Sequence, residues 1–267
     1  MNQEHGILAK FERGIHHFQE FEKLNYNYLT GISKVTLEAD IQASAYRVST
    51  ALPAPPLEIA TVFGDCLHNF RSSLDYLAQL LVFAGGRIPK DGGGGTSFPI
   101  RDVEPAKPVD VNPGLHPTLR AHLDALQPFH AKDPSRHPLT LLNRLDNIDK
   151  HRVLVLGAAS LSAEVAFVRI GETAGPDARR YPLRLRTDRP DVVVVDRQDL
   201  HEQAESSGMW SGGIVLAEGD GAWSDSIWLI GNQIAQHLSV IIPEFLHLAR
   251  QVAHEVNDTR SAAKGSA

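Results

Sequence analysis

The segment between Pro55-Pro56 and Gly85-Gly86 carries polar side chains at the spacing of one helical face. Residues three or four apart on a helix lie above one another, so their side chains can interact. The positions that follow this spacing are Asp65, His68, Ser72, Asp75 and Gln79, with Asn69, Arg71 and Tyr76 at their margins. We call these residues the polar seam. Their carboxylate, imidazole and guanidinium groups can transfer protons, stabilise an anion or form internal ion pairs.

The composition of this segment distinguishes the polar seam from an ordinary solvated helix face. Neither Glu nor Lys occurs between Glu58 and Lys90, although both are common on exposed helix faces. The short polar side chains that remain can be satisfied by hydrogen bonds inside a protein. The pattern therefore fits a functional site, and it fits equally a structural hydrogen-bond network between packed helices.

A second polar face is predicted in the segment from Pro138 to Arg152. Asn143, Asn147 and His151 lie four residues apart there, and Lys150 is adjacent to His151. Basic residues at a helix C-terminus also offset the carbonyl dipoles, which is the structural interpretation of the basic end. If the two segments pack together, the candidate catalytic residues are Arg71, His68, His151 and Asp75, and the candidate binding residues are Asn69, Ser72, Asn147 and Lys150.

Two other interpretations assign different roles to the same side chains. A metal-dependent hydrolase would use Asp65, His68, Asp75 and His151 as ligands, although their spacing matches no recognised metal-binding signature. In a binding or structural module, Asp65 and Asp75 would pair with Arg71, and His68 would contact Asn147. Such internal contacts specify how helices pack, even where they add little stability.

Helices are predicted wherever apolar residues recur every three or four positions. These segments are 5–30, 56–84, 118–126, 138–152 and 232–256, and Pro243 should kink the last of them or lie at a break in it. In the second segment the apolar stripe consists of Ile59, Phe63, Cys66, Phe70, Leu74, Leu77 and Leu81. Proline before this segment and paired glycines after it are typical of helix ends.

Strands are predicted where apolar and polar residues alternate between turn residues. The first region is 33–51, and the others are 153–156, 165–170, 181–186, 192–195, 213–217 and 223–228. The glycine run at 91–95 lacks the lysine and hydroxyl residue of a phosphate-binding loop, so it is interpreted as a flexible loop.

The order of these elements predicts an α+β fold, with long helices packed together and against an antiparallel β-sheet from the second half. We expect one domain over residues 1–260, with a helical part at 1–152, a β-rich part at 153–230 and a C-terminal helix at 231–257. Residues 261–267 are small and polar, which predicts a flexible tail.

Composition restricts the class of protein. The chain has 267 residues, 42% of them hydrophobic, a formal net charge of −6 and one cysteine, Cys66. Such a chain can bury a full core, forms no internal disulfide and has no overall attraction to nucleic acid. It contains neither a secretory signal pattern nor a long uninterrupted apolar run. We expect a cytoplasmic protein without a membrane segment or a cofactor, whose partner is a small molecule or RNA and which could form a homo-oligomer.

The polar motifs together resemble an uncharacterised bacterial family. The resemblance covers Gly64-Asp65-x-Leu67-His68-Asn69-x-Arg71-Ser72-x-Leu74-Asp75, Phe98-Pro99-Ile100, Gln127-Pro128-Phe129 and Asn147-x-Asp149-Lys150-His151-Arg152. It extends over about one hundred residues, within the size of one domain, and it implies no established activity.

A looser resemblance is to the HEPN superfamily, helical proteins that include metal-independent ribonucleases. Arg71-Ser72-x-Leu74-Asp75 is similar to the opening of the HEPN signature, in which a histidine follows the arginine on the same helix. Tyr76 occupies the position of that histidine in the shortest spacing. The resemblance implies that Arg71 stabilises a scissile phosphate and that His68 or His151 moves the proton of the attacking ribose hydroxyl.

Overall fold

A computed structural model describes residues 3–31, 35–50, 54–88, 96–111, 114–152, 154, 156–158, 165–170, 179–182, 191–194, 204–209, 214–216 and 226–265. The contacts of the chain divide it into two compact units. The first, which we call the helical unit, consists of Met1–Phe21, Ala60–Leu154 and Leu229–Ala267. The second, the β unit, consists of Glu22–Ile59 and Val155–Trp228. That residues 1–260 form a single domain stays a prediction.

Five α-helices are present in the described ranges, and each corresponds to a predicted one. Their bounds are α1 Gln3–Gly31, α2 Leu57–Ala84, α3 Pro117–Ala125, α4 Pro138–His151 and α5 Ile227–Gly265. The end of α2 shows how the sequence sets a boundary. Gly86 has a φ of +73°, its N–H donates to the carbonyl of Phe83, and the N–H of Arg87 donates to that of Val82. A left-handed residue is required for this pairing, and glycine adopts it without steric cost.

The core of the helical unit contains the apolar stripe of α2. Phe63, Cys66, Phe70, Leu74, Leu77 and Leu81 are fully buried. The ring of Phe70 lies 5.7 Å from that of Phe11 on α1, and the ring of Phe63 lies 4.9 Å from that of Phe21. The predicted apolar face of the central helix is therefore confirmed.

Glycines mark three places where a side chain packs directly on a helix backbone. A Cβ at Gly14 would overlap the Phe70 ring, and one at Gly231 would lie 2.5 Å from Phe18. A Cβ at Gly64 would lie 2.6 Å from the carboxyl carbon of Asp149, which belongs to α4. These separations are shorter than van der Waals contact. A Cβ at Gly14 or Gly231 would have to move an aromatic ring, whereas one at Gly64 would have to move only the end of the Asp149 side chain.

The β unit contains three small antiparallel sheets in its described part. The strands are β1 Val35–Asp40, β2 Ala45–Thr50, β3 Leu156–Ala158, β4 Val165–Ile170, β5 Arg179–Pro182, β6 Asp191–Val194, β7 Ala204–Met209 and β8 Ile214–Leu216. In one sheet β2 pairs with both β1 and β6, in another β4 pairs with both β5 and β7, and β3 pairs with β8. The α+β class is confirmed at this coarse level, whereas packing of the helices against a sheet stays a prediction.

Several predicted boundaries need correction. The strand at 223–228 is wrong for Ile227 and Trp228, which begin α5, while 223–225 lie outside the described residues. Helix α5 continues through residues 261–265, beyond the end predicted for the C-terminal helix. Pro243 lies within this continuous helix, and the glycine run at 91–95 lies outside the described residues. None of the helices that the structure describes is long and apolar enough to cross a membrane.

Candidate functional site

A buried carboxylate on α4 is the centre of the candidate site. Asp146 is only 2% exposed, and its Oδ1 lies 3.6 Å from the Nδ1 of His68 on α2. Its Oδ2 lies 2.6 Å from the Nζ of Lys150, one turn further along α4. His68 and Lys150 are 54% and 44% exposed. We call Asp146, His68 and Lys150 the Asp146 cluster, and it brings together two of the residues that the sequence predicted.

The Asp146 cluster has an electrostatic basis. A carboxylate removed from water is costly unless a cation lies beside it, and Lys150 supplies that charge. The same carboxylate faces the Nδ1 of the His68 ring at 3.6 Å, which is longer than a hydrogen bond. Among the described residues Nε2 has no hydrogen-bond partner, and the imidazole is half exposed. A half-exposed imidazole beside a buried carboxylate can exchange a proton with a bound molecule.

Asp149 lies beside this cluster, on the same face of α4 as Asp146. Its carboxylate packs on the backbone of Gly64, one turn before His68 on α2. Burial raises the pKa of the Asp149 carboxyl, and the neighbouring charges of Asp146 and Asp65 raise it further, whereas His68 lowers it. Two carboxylates and an imidazole therefore interact electrostatically with Asp149 at the crossing of α2 and α4.

A separate part of the polar seam holds the backbone of Phe98. The Nη2 of Arg71 donates to the Phe98 carbonyl at 2.8 Å, and the Phe98 N–H donates to Oδ1 of Asp75 at 2.9 Å. Arg71 and Asp75 also pair directly at 3.2 Å. We call these three residues the Phe98 clamp. Burial raises the pKa of the Asp75 carboxyl, although Arg71 and the Phe98 N–H oppose that rise.

The remaining predicted residues differ in their surroundings. Asn69 is buried, its Nδ2 donates to the Asp65 carbonyl at 2.8 Å, and its Oδ1 accepts from Lys10 at 3.4 Å. Ser72 is half-buried, and Asn147 and His151 are exposed on α4. In the described ranges no side-chain hydrogen bond or ion pair joins Asn147 or His151 to the Asp146 cluster.

Two of the expected internal contacts can be compared with the structure. The pairing of Asp75 with Arg71 is present. No hydrogen bond between His68 and Asn147 is present in the described part of the chain; His68 lies against Asp146, the preceding residue of α4, and Asn147 is exposed. Adjacent residues on a helix point about 100° apart, so only one of these two side chains can face α2.

The metal-binding interpretation receives no support from this geometry. Within the described residues no three side chains of His, Cys, Asp or Glu are arranged to hold a metal ion. Of the predicted ligands, Asp75 is engaged in the Phe98 clamp and His151 is exposed.

Sequence reasoning missed Asp146 and Asp149 as members of the site. A signal for Asp146 was present, because it lies four residues after Leu142 and seven after Leu139, on the buried face of α4. An aspartate on an apolar face, four residues before a lysine, indicates a buried ion pair. For Asp149 the signal was weaker. Asp149 belonged to the motif Asn147-x-Asp149-Lys150-His151-Arg152, and Gly64, within a helix that otherwise lacks glycine, indicated that a group from elsewhere approaches that turn.

Comparison of the chain with protein-family models, with curated proteins and with solved structures yields no match.

Proposed function

We propose that this protein is a metal-independent ribonuclease of the HEPN-like kind, acting in the bacterial cytoplasm. In this proposal His68 transfers a proton during cleavage and Lys150 stabilises the negative charge on the scissile phosphate. The observation that carries the proposal is the Asp146 cluster, in which one buried carboxylate lies 3.6 Å from a half-exposed imidazole and 2.6 Å from an exposed ammonium. RNA is the proposed partner, and a smaller phosphate ester could use the same groups.

The roles follow from the chemistry of phosphodiester cleavage by a neighbouring ribose hydroxyl. A positioned histidine accelerates such proton transfers by about 10²–10⁴-fold. A cation beside the phosphate is favourable because charge develops on its oxygens in the transition state. Lys150 is assigned this role in preference to Arg71, since Arg71 is 9% exposed and its Nη2 is bound to Phe98. Asn147 and His151 are exposed and stay candidates for binding the rest of the substrate.

The experiment compares two histidine–aspartate pairs of the helical unit. His254 and Asp258 on α5 are 2.8 Å apart and both are exposed, so they share the contact but not the buried carboxylate of the Asp146 cluster. RNA cleavage is measured with and without a chelator for the parent, His68→Ala, Asp146→Asn, His254→Ala and Asp258→Asn. We expect chelator-independent cleavage that falls about 100-fold in His68→Ala, falls in Asp146→Asn, and persists in both controls.

Two results would contradict the ribonuclease proposal. One is a parent protein that cleaves no RNA, and the other is His68→Ala cleaving as fast as His254→Ala. Loss of cleavage on addition of the chelator would favour the metal-dependent hydrolase instead.

A second candidate function is a non-catalytic ligand-binding or structural module. The Phe98 clamp favours it, because Arg71 and Asp75 hold one backbone segment and leave little of the seam for a substrate. In that case the polar seam would specify helix packing. Reversible unfolding of His68→Ala separates the two functions. A half-exposed catalytic imidazole can be removed for less than about 1 kcal/mol, whereas a packing contact would cost more.

A further inference from the structure

The carboxylate of Asp149 packs against α2 but has no polar partner in the described part of the chain. It makes no hydrogen bond and no ion pair in the described part of the chain, although its carboxylate is partly buried on the backbone of Gly64. Its neighbour Asp146, three residues earlier, contacts both His68 and Lys150. A carboxylate held in place without a partner has lone pairs available for a proton from a bound molecule.

The position of Asp149 relative to His68 follows from two helical spacings. Gly64 and His68 are four residues apart on α2, so they lie on the same face about 5–6 Å from each other. Asp149 rests on Gly64, and Asp146 rests beside His68. A carboxylate and an imidazole therefore lie side by side along the crossing of α2 and α4, one helical turn apart.

From this juxtaposition of Asp149, Gly64 and His68 we infer that Asp149 is the second catalytic group of the site, the base that complements His68 as the acid. This inference rests on the proposed ribonuclease function. Helix α2 does not itself supply this base, because its carboxylate Asp75 is bound to the Phe98 N–H.

The proton transfers balance across the reaction. Asp149 accepts the proton of the ribose hydroxyl, whose oxygen attacks phosphorus, and the bond from phosphorus to the leaving oxygen breaks. His68, protonated on both ring nitrogens with Nδ1–H facing Asp146, gives the Nε2 proton to that leaving oxygen. The products are a cyclic phosphate and a free hydroxyl, with Asp149 protonated and His68 neutral. Hydrolysis by water in the reverse sense restores both groups.

The electrostatic surroundings of Asp149 suit a base. Burial and the nearby carboxylates of Asp146 and Asp65 raise the pKa of its carboxyl, which makes the carboxylate a stronger proton acceptor than an exposed aspartate. Asp65 contributes part of this rise through its charge, so its removal should make Asp149 less basic.

The test is the pH dependence of RNA cleavage for the parent, Asp149→Asn, Asp65→Asn and Gly64→Ala. We expect Asp149→Asn to lower the maximal rate by about 100-fold, within the range for a lost acid or base. Each profile is normalised to its own maximum. Asp65→Asn should move the acidic limb to lower pH, because Asp149 then loses its proton more readily. A residue with a purely structural role would not shift this limb.

Gly64→Ala provides a second route to the same group, because the added Cβ displaces the Asp149 carboxylate while every titratable side chain is retained. We expect a rate decrease in this variant too, with helical content checked by circular dichroism. The role of Asp149 would be overturned if the cleavage rate of Asp149→Asn is within about threefold of that of the parent. It would also be overturned if the acidic limb of the pH profile does not move in Asp65→Asn. Both conclusions hold even if His68→Ala is inactive. A parent protein without cleavage would overturn the ribonuclease proposal and this inference together.

Discussion

Arg71 shows how a residue that suits phosphate binding can be committed to the fold. Arg71 is 9% exposed, and one guanidinium nitrogen donates to the Phe98 carbonyl while pairing with Asp75. The Phe98 ring is 1% exposed and packs at 6.3 Å against Phe245 on α5. Arg71 thus fixes the backbone from which a core ring extends.

The Phe98 clamp leads to a prediction about stability. Arg71→Ala leaves a buried carbonyl and the Asp75 carboxylate without their cationic partner, so the free energy of unfolding should fall by about 2 kcal/mol. Arg120→Ala is the control, because Arg120 pairs with Asp110 at 3.7 Å with both side chains partly exposed. It should cost less than about 1 kcal/mol. Urea unfolding measures both, and a stable Arg71→Ala that no longer cleaves RNA would restore Arg71 to a catalytic role.

For individual residues, the sequence predicted which side chains of α2 share a face, because helical spacing alone decides that. It did not predict that His68 meets Asp146 in place of Asn147. That choice depends on the rotation of α4 about its axis when it packs on α2, which follows from buried leucines such as Leu142 and Leu145. Rotation by one residue would have brought Asn147 to the same place.

At the scale of the helix, glycine spacing decides how closely α1 and α2 approach. Gly14 is covered by the Phe70 ring, with a notional Cβ 2.6 Å from a ring carbon. Gly6, two turns earlier on α1, faces Tyr76 at 3.4 Å, which is ordinary contact. Both residues are glycines of the same helix, but only Gly14 lacks room for a Cβ.

The two glycines of α1 therefore respond differently to alanine. Gly14→Ala forces Phe70 or the helix to shift, which should cost about 1–3 kcal/mol, the usual range for overpacking. Gly6→Ala should leave stability unchanged or raise it by up to about 1 kcal/mol, because alanine favours the helix. Thermal and urea unfolding of both variants provide the comparison. Equal effects at the two positions would mean that Phe70 does not pack on Gly14.

Secondary structure was predictable where local signals were strong. The helices and most strands have apolar periodicity and turn residues at their ends. β7, whose sequence is Ala-Glu-Ser-Ser-Gly-Met, was missed because it has almost no apolar side chain and is specified by pairing with β4. The extension of α5 through residues 261–265 was missed because small residues such as Ser and Gly suggested a tail, although Ala and Lys there favour a helix.

At the scale of the whole molecule, the helical unit is assembled from three separate parts of the chain. Periodicity identifies each helix but carries no information on which distant segments share a core. The ion pair between α1 and α5 illustrates this. Arg250 donates two hydrogen bonds to Glu4, at 2.6 and 2.9 Å, although the two residues lie near opposite ends of the sequence. Only the folded structure brings such residues together.

The stability of the molecule in acid should depend on one histidine that joins two helices of this unit. His137 precedes α4, and its Nδ1 accepts a hydrogen bond from the Leu139 N–H at 3.2 Å, which requires an unprotonated nitrogen. Its ring lies 5.0 Å from that of His237 on α5. Burial, with a smaller effect from His237, lowers the pKa of His137 to about 4, and burial also lowers the pKa of His237.

The sign of the effect follows from proton uptake. A histidine in the unfolded chain has a pKa of about 6.5, so between that pH and about 4 the unfolded state binds more protons than the folded state. Stability is therefore complete above about pH 6.5 and is lost as the pH falls. Because His137 is partly exposed, the loss should be on the order of 1–2 kcal/mol.

His137→Asn tests this dependence without removing the helix cap, because an asparagine oxygen also accepts from the backbone at this position but does not titrate. We expect stability near that of the parent at about pH 7 and a smaller loss at about pH 4.5, by about 1 kcal/mol or more. His237 is still present in this variant, so the loss of stability that comes from its own protonation remains. Urea unfolding at the two pH values measures the difference, and His16→Asn, at an exposed position on α1, is the control. Parallel losses in His137→Asn and the parent would show that acid acts on the fold through other groups.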